Sequence, residues 1–192
     1  MRLLTLQPIT KHTGMNNEIK VLDKTFVPFL SASAIQEQLE RLGKTINEDY
    51  EGKQPLFICI LNGSFMFASD LLKQINIPAE ICFIKLASYK GTKSTGKVIT
   101  AIGLDIQLKD RHVVILEDIV DTGKTLAAFL PEIVNQRPAS MAICALLHKP
   151  EATVFPIDLQ YVGFTIPNRF VVGYGLDYDG YGRNIPEIYQ LK

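Results

Sequence analysis

A chain of 192 residues fits one domain, at roughly 100–200 residues per domain, and is long enough to bury a sheet on both faces. With 47% hydrophobic and 21% charged residues, its composition is that of an ordinary soluble globular protein, which excludes disorder. The formal net charge of zero gives no electrostatic reason to bind nucleic acid or an anionic membrane, so neither is expected as a partner.

Residues 1–14 carry one early Arg and a short apolar patch broken by Thr5 and Pro8, too short for a secretory signal, and residues 1–15 are expected to be a loose N-terminal extension. No stretch approaches the ~18 apolar residues of a membrane span. Cys59, Cys82 and Cys144 each lie in an apolar run, at spacings that match no metal motif. They read as small core residues in a reducing cytoplasm. His12, His112 and His148 are far apart and have no ligand-spaced partners, so a zinc site is not expected.

The first helix is expected from about Ser33, where Ser33 and Gln36 have capping-box spacing and Ile35, Leu39, Leu42 and Ile46 share one face. Leu56–Leu61 is a continuous apolar run, hence a central strand, and Asn62-Gly63-Ser64 leads from it into a helix over 65–75. Ser64 reads as that helix's cap, there being no nucleophile elbow around it. Residues 80–89 form a further strand, followed by K-G-T-K-S-T-G-K, which has no apolar residue to hold it to a core. It reads either as an exposed hairpin tip or as a mobile lid in which Ser88 and Tyr89 cover a site.

Strands are expected at 98–104, 112–116 and 139–147, with a helix over 126–134 in which Pro131 marks a first turn or a kink. Two short strands, 160–166 and 170–174, precede a loop-like tail over 175–183. Strands alternating with helices argue an α/β fold with a parallel sheet.

Most chemistry is concentrated in residues 113–125, V-V-I-L-E-D-I-V-D-T-G-K-T. A buried strand meets Glu117 and Asp118, and then a polar turn opens a helix. Backbone N–H groups over Asp121–Thr125 at a helix mouth favour an anion, and Gly123 permits close approach of a phosphate. Two acids alone would be a solvated strand end. Beside an anion cradle they would repel the ligand unless they held a cation or sugar hydroxyls, so the site suits a phosphosugar with a metal. Gly123-Lys124-Thr125 is not a Walker A loop, because position 118, where that loop needs glycine, is aspartate. No G-x-G-x-x-G follows the first strand, which excludes a Rossmann dinucleotide site.

The segment 113–125 resembles the phosphoribosyl pyrophosphate motif of the type I phosphoribosyltransferases, specifically those acting on purines. L-N-G-S at 61–64 is similar to the family's pyrophosphate loop, S-Y-K-G-T-K-S-T-G at 88–96 to its lid, L-L-H-K at 146–149 to its purine-recognition lysine, and F-V-V-G-Y-G-L-D-Y at 170–178 with Arg183 to its base-stacking and metal-binding tail. The resemblance covers roughly residues 20–190 and implies the type I phosphoribosyltransferase fold: one domain over 1–192, with a central, mainly parallel sheet flanked by helices. A small hood would come from parts of 16–35 and 150–192, and a mobile lid from about 88–98. Asn62 stands where the family often has lysine, and the family's cis non-proline peptide would fall at Leu61–Asn62.

The resemblance also implies Mg²⁺-dependent transfer of 5-phosphoribose from phosphoribosyl pyrophosphate to N9 of a 6-oxopurine, forming IMP or GMP and pyrophosphate. In that scheme Asp121 acts as general acid or base near N7. Thr122, Gly123, Lys124 and Thr125 hold the 5-phosphate, Glu117 and Asp118 take ribose hydroxyls directly or through Mg²⁺, and Asp177 binds a second Mg²⁺. Asn62 and Gly63 belong to the pyrophosphate loop, and Arg183 forks onto pyrophosphate. Lys149 donates to O6, Phe170 stacks on the base and Val171 reads its edge, while Ser88 and Tyr89 close over the centre. A homodimer or homotetramer is implied. The alternatives left open are a phosphoribosyltransferase for xanthine or another base, and a non-catalytic regulator that senses phosphoribosyl pyrophosphate.

Overall fold

The computed structural model describes residues 10–11, 17–88, 98–102 and 106–192. In chain order the elements are β1 (Thr10–Lys11), β2 (Ile19–Val21), β3 (Lys24–Leu30), α1 (Ala32–Asp49), β4 (Leu56–Leu61), α2 (Phe65–Leu72) and β5 (Glu80–Ser88). There follow β6 (Val98–Ile102), β7 (His112–Val120), α3 (Lys124–Asn135), β8 (Ser140–His148), β9 (Tyr161–Thr165), β10 (Val171–Val172) and β11 (Ile188–Leu191).

The continuous apolar runs become a sheet of order β6-β5-β4-β7-β8-β9, in which all pairs are parallel except β5 with β6. The central runs Leu56–Ile60 of β4 and Val113–Leu116 of β7 are apolar because both faces are covered there. Phe57, Cys59, Val114 and Leu116 point to a layer containing Ile35, Leu39 and Leu42 of α1 and Phe67 and Leu71 of α2. The alternate residues Leu56, Ile58, Val113 and Ile115 meet Leu126, Phe129 and Ile133 of α3. Chain direction across the sheet reverses at β4 and β7, which lie side by side. A crevice outside their carboxyl ends is therefore the place for a ligand.

Several boundaries differ from expectation for local reasons. Helix α1 begins at Ala32, because Ser31 holds an extended conformation and its Oγ accepts from Ala34 N at 3.2 Å. Ser33 instead shares a 2.9 Å bond with Ser31, and the Gln36 amide donates to Glu40. Ser64 occupies the cap position of α2 in a helical conformation, so its hydroxyl cannot reach forward and donates back to Ile60 O at 2.6 Å. Pro131 lies past the middle of α3 rather than in its first turn. Strand β10 is only Val171–Val172, because Gly173 and Tyr174 take positive φ and turn the chain away.

A second, antiparallel sheet of order β1-β2-β3-β11-β10 packs around Phe26, Val21, Val172 and Tyr189. Within the stretch expected to be loose, Thr10 and Lys11 pair with Lys20 and Ile19. The expected lid departs from the β5–β6 hairpin, where Ser88 is opposite Val98. Tyr89 and the residues up to 97 lie outside the described residues.

Candidate active site

Strand β7 does not end at Leu116. Hydrogen bonding with β8 continues past the end of the β4 pairing, with Glu117 opposite Ala145 and Val120 opposite His148, so both acids lie inside the strand. The expected strand end at 116 is thereby moved to Val120, because β8 supplies the ladder that carries the strand on. Glu117 is 8% exposed, and its Oε2 has no hydrogen-bond partner. Burial holds the Glu117 carboxyl well above the usual carboxylate range, and the charge of Asp118 pushes the same way. Burial also lifts Asp118, to about 6, against the lowering effect of backbone N–H bonds and the Arg183 guanidinium. Its Oδ1 accepts from Ile119 N at 3.0 Å.

Beyond β7 the chain turns at Gly123, whose φ of 76° suits glycine, and enters α3 at Lys124 with Thr125 in the first turn. Residues 117–126 line a cleft of about 260 Å³. The Thr122 hydroxyl accepts from Lys124 N at 3.3 Å. A strap from residues 150–157 braces this loop from outside. Thr122 O accepts from Val154 N at 3.1 Å and Phe155 N at 2.9 Å, and Thr153 Oγ1 donates to Asp121 O at 3.3 Å and to Lys149 O at 3.1 Å. A Cβ on Gly123 would fall on Phe155 O. The bracing role of Thr153 was missed in the sequence, where the strap has no periodicity to mark it.

Lys149 follows β8, and its N–H donates to Val120 O at 2.9 Å, which ties it to the end of β7. Its ammonium is buried and lies 3.0 Å from Asp121 Oδ2, an acid whose side chain is 44% exposed to the cleft. The turn after β4 lies on the other side of β7. The Leu61–Asn62 peptide is cis, as the family resemblance implied, and Asn62 is exposed while Gly63 is buried. A Cβ on Gly63 would fall on Asp118 Oδ2, and one on Gly175 would fall on Gly63 O. Gly63 is thus wedged between Asp118 and the tail.

Two turns, closed by Gly173 opposite Leu176 and Tyr178 opposite Tyr181, fold that tail. Arg183 Nη2 is 2.5 Å from Asp177 Oδ1, and Nη1 donates to Gly175 O at 2.6 Å. The second Asp177 oxygen accepts from Gly180 N at 2.6 Å. Phe170 leads into β10 with 44% of its surface exposed, and Val171 is buried beside it.

Among the described residues no three His, Cys, Asp or Glu side chains converge to hold a metal by themselves. Glu117, Asp118 and Asp177 therefore do not form a single carboxylate cage. The unsatisfied Glu117 oxygen beside Asp118 still fits a hard divalent cation that takes most of its ligands from phosphate and water, as Mg²⁺ does. None of the helices described is long and apolar enough to cross a membrane.

The sequence model of the phosphoribosyl transferase domain matches residues 29–179. A hypoxanthine-guanine phosphoribosyltransferase of Lactococcus lactis subsp. lactis is 44% identical over 175 residues, covering 90% of this chain and 95% of that protein. A hypoxanthine-guanine-xanthine phosphoribosyltransferase of Tritrichomonas foetus is 38% identical over 159 residues, covering 82% and 87%. The crystal structure of a hypoxanthine-guanine phosphoribosyltransferase from Bacillus anthracis matches with a TM-score of 0.81 at 36% identity, covering 86% of this chain and 98% of that one. The chain therefore belongs to the phosphoribosyltransferase family. The α/β fold described above, with its mainly parallel sheet, is that family's type I fold.

Proposed function

We propose that the protein is a purine-salvage enzyme of the hypoxanthine-guanine phosphoribosyltransferase type, transferring 5-phosphoribose from phosphoribosyl pyrophosphate to N9 of hypoxanthine or guanine and releasing pyrophosphate. The observation that carries this reading is the meeting of Lys149 with Asp121 at the mouth of the α3 anion cradle. A phosphosugar held by the cradle would have its anomeric carbon between the two acids and a lysine that can read a purine carbonyl. The relatives named above give the reading its substrate class.

Leaving-group departure builds positive charge on the ribose and negative charge on pyrophosphate, so the work is electrostatic and positional. Backbone N–H groups and hydroxyls of Thr122–Thr125 hold the 5-phosphate. Glu117 and Asp118 orient the ribose hydroxyls, and with Asp177 they are the residues that would hold Mg²⁺. Mg²⁺ held there would supply positive charge against the charge that develops on the pyrophosphate. Arg183 leaves Asp177 to fork onto the pyrophosphate, with Asn62 and Gly63 alongside. Asp121 moves the proton at N7. Lys149 donates to O6, which selects against a 6-amino purine because an amino group is itself a donor. Phe170 stacks on the base, the Val171 backbone reads its edge, and the lid bearing Ser88 and Tyr89 excludes water.

The single domain over 1–192, cytoplasmic location and assembly as a homodimer or homotetramer belong to the same reading. The test is purified protein with phosphoribosyl pyrophosphate, Mg²⁺ and, in turn, hypoxanthine, guanine, xanthine, adenine and uracil. Nucleotide is expected with the first two and none with adenine. Absence of product with every base would favour a phosphoribosyl-pyrophosphate-sensing regulator.

A further inference from the structure

An aromatic cluster lies under the edge of the tail, where the small sheet meets it. Phe26 of β3 is fully buried, with ring centroids 6.2 Å from Phe170 and 6.4 Å from Tyr178. The latter two rings are 5.9 Å apart and close to perpendicular. The turn between β2 and β3 crosses this cluster. Tyr178 Oη donates to Asp23 Oδ1 at 2.9 Å, which pins the turn to the tail. The next residue, Lys24, carries its ammonium 4.8 Å from the Tyr178 centroid and 5.8 Å from that of Phe170, within the roughly 6 Å range of a cation–π contact. Among the described residues Lys24 has no carboxylate at ion-pair distance, and Asp23 already accepts from Tyr178.

Offset-stacked rings lie roughly 4.5–7 Å apart, centroid to centroid. An ammonium 5.8 Å from the Phe170 centroid therefore lies within stacking distance of the half-exposed ring on which the base is proposed to stack. We infer that Lys24 is a further base-binding residue, supplying a positive charge beside the stacked purine from a hairpin outside every family motif. This inference rests on the proposed stacking of a 6-oxopurine on Phe170. The charge suits this ligand class, because the purine must shed a ring proton to attack through N9, and a neighbouring cation stabilises the electron-rich ring. A flexible stem with a compact ammonium can follow the base edge.

The test uses Lys24→Met, which keeps an unbranched stem and removes the charge, and Lys24→Arg, which keeps the charge. Lys24→Met is expected to raise KM for hypoxanthine about five-fold, with kcat and KM for phosphoribosyl pyrophosphate changed less than about two-fold. Lys24→Arg is expected to stay close to wild type. Titration of inosine 5′-monophosphate gives a readout independent of turnover, with binding to Lys24→Met expected to weaken by a similar factor. Unchanged hypoxanthine KM and nucleotide binding in Lys24→Met, or a loss that Lys24→Arg does not restore, would overturn the role of Lys24. A wild-type protein that acts on no base yet binds the nucleotide more tightly than Lys24→Met would remove the proposed reaction and keep Lys24 in the base site. No turnover and no nucleotide binding would remove both.

Discussion

The Lys149 ammonium lies 3.0 Å from the Asp121 carboxylate, the two residues being brought together from the ends of adjacent parallel strands. One is the residue proposed to read O6 and the other the one proposed to move the N7 proton. Their contact sets the two proposed roles side by side before any ligand arrives. Asp121→Asn is expected to lower kcat by about 10²–10⁴-fold, the usual range for a lost general acid or base, with KM for phosphoribosyl pyrophosphate little changed. Near-normal turnover in steady-state assays would remove Asp121 from the mechanism.

Lys149→Ala should raise KM for hypoxanthine by about ten-fold or more, the cost of losing a charged donor, and leave KM for phosphoribosyl pyrophosphate much less affected. Because the two side chains touch, the double variant should be non-additive. An unchanged hypoxanthine KM would mean that O6 is read elsewhere.

Gly63 and Gly123 admit no side chain, for different reasons. A methyl on Gly63 meets the Asp118 carboxylate, while at Gly123 it meets Phe155 O on a backbone already at φ 76°. Gly63→Ala and Gly123→Ala should each lower the unfolding free energy by about 1–3 kcal/mol and reduce activity further than that loss explains. Chemical denaturation read beside kcat/KM checks both. Full activity in Gly63→Ala would show that Asp118 can leave its place without consequence.

The raised Asp118 carboxyl makes stability depend on pH. An unfolded Asp loses its proton near pH 3.9, whereas burial keeps the proton on in the folded chain to about 6. Across that window the folded state binds more protons, so its stability falls as pH rises, and the deficit is complete above it. In ligand-free protein, Asp118→Asn should therefore gain stability relative to wild type from pH 4 to pH 7, by on the order of 1–3 kcal/mol. Urea unfolding at several pH values measures this. A difference that stays flat would mean that the carboxylate is solvated in the folded protein.

Phosphoribosyl pyrophosphate with Mg²⁺ should raise the thermal midpoint, and each component alone should raise it less. A cation at these carboxylates would relieve the crowding of Glu117 and Asp118, and ligand binding stabilises the folded state by mass action. Equal stabilisation by phosphoribosyl pyrophosphate with and without chelator would argue against metal at these carboxylates.

The sequence by itself determined the parallel strands and the turn proposed to bind phosphate, because both are local. An apolar run such as Leu56–Leu61 has one stable place, between two helical layers, and the order of Asp121, Thr122 and Gly123 before a helix sets its own anion site. The family motifs were legible for the same reason, each lying within a dozen contiguous residues. Only the tertiary structure decided that Glu117 and Asp118 lie within β7, with Glu117 buried, because the ladder that prolongs the strand comes from β8. It alone set Gly63 against Asp118, braced Thr122 with the 150–157 strap, and laid Lys24 over Phe170 and Tyr178. These contacts join residues far apart in sequence, and no spacing encodes them. They follow from how a twisted sheet and a small antiparallel sheet bring their loops to one edge.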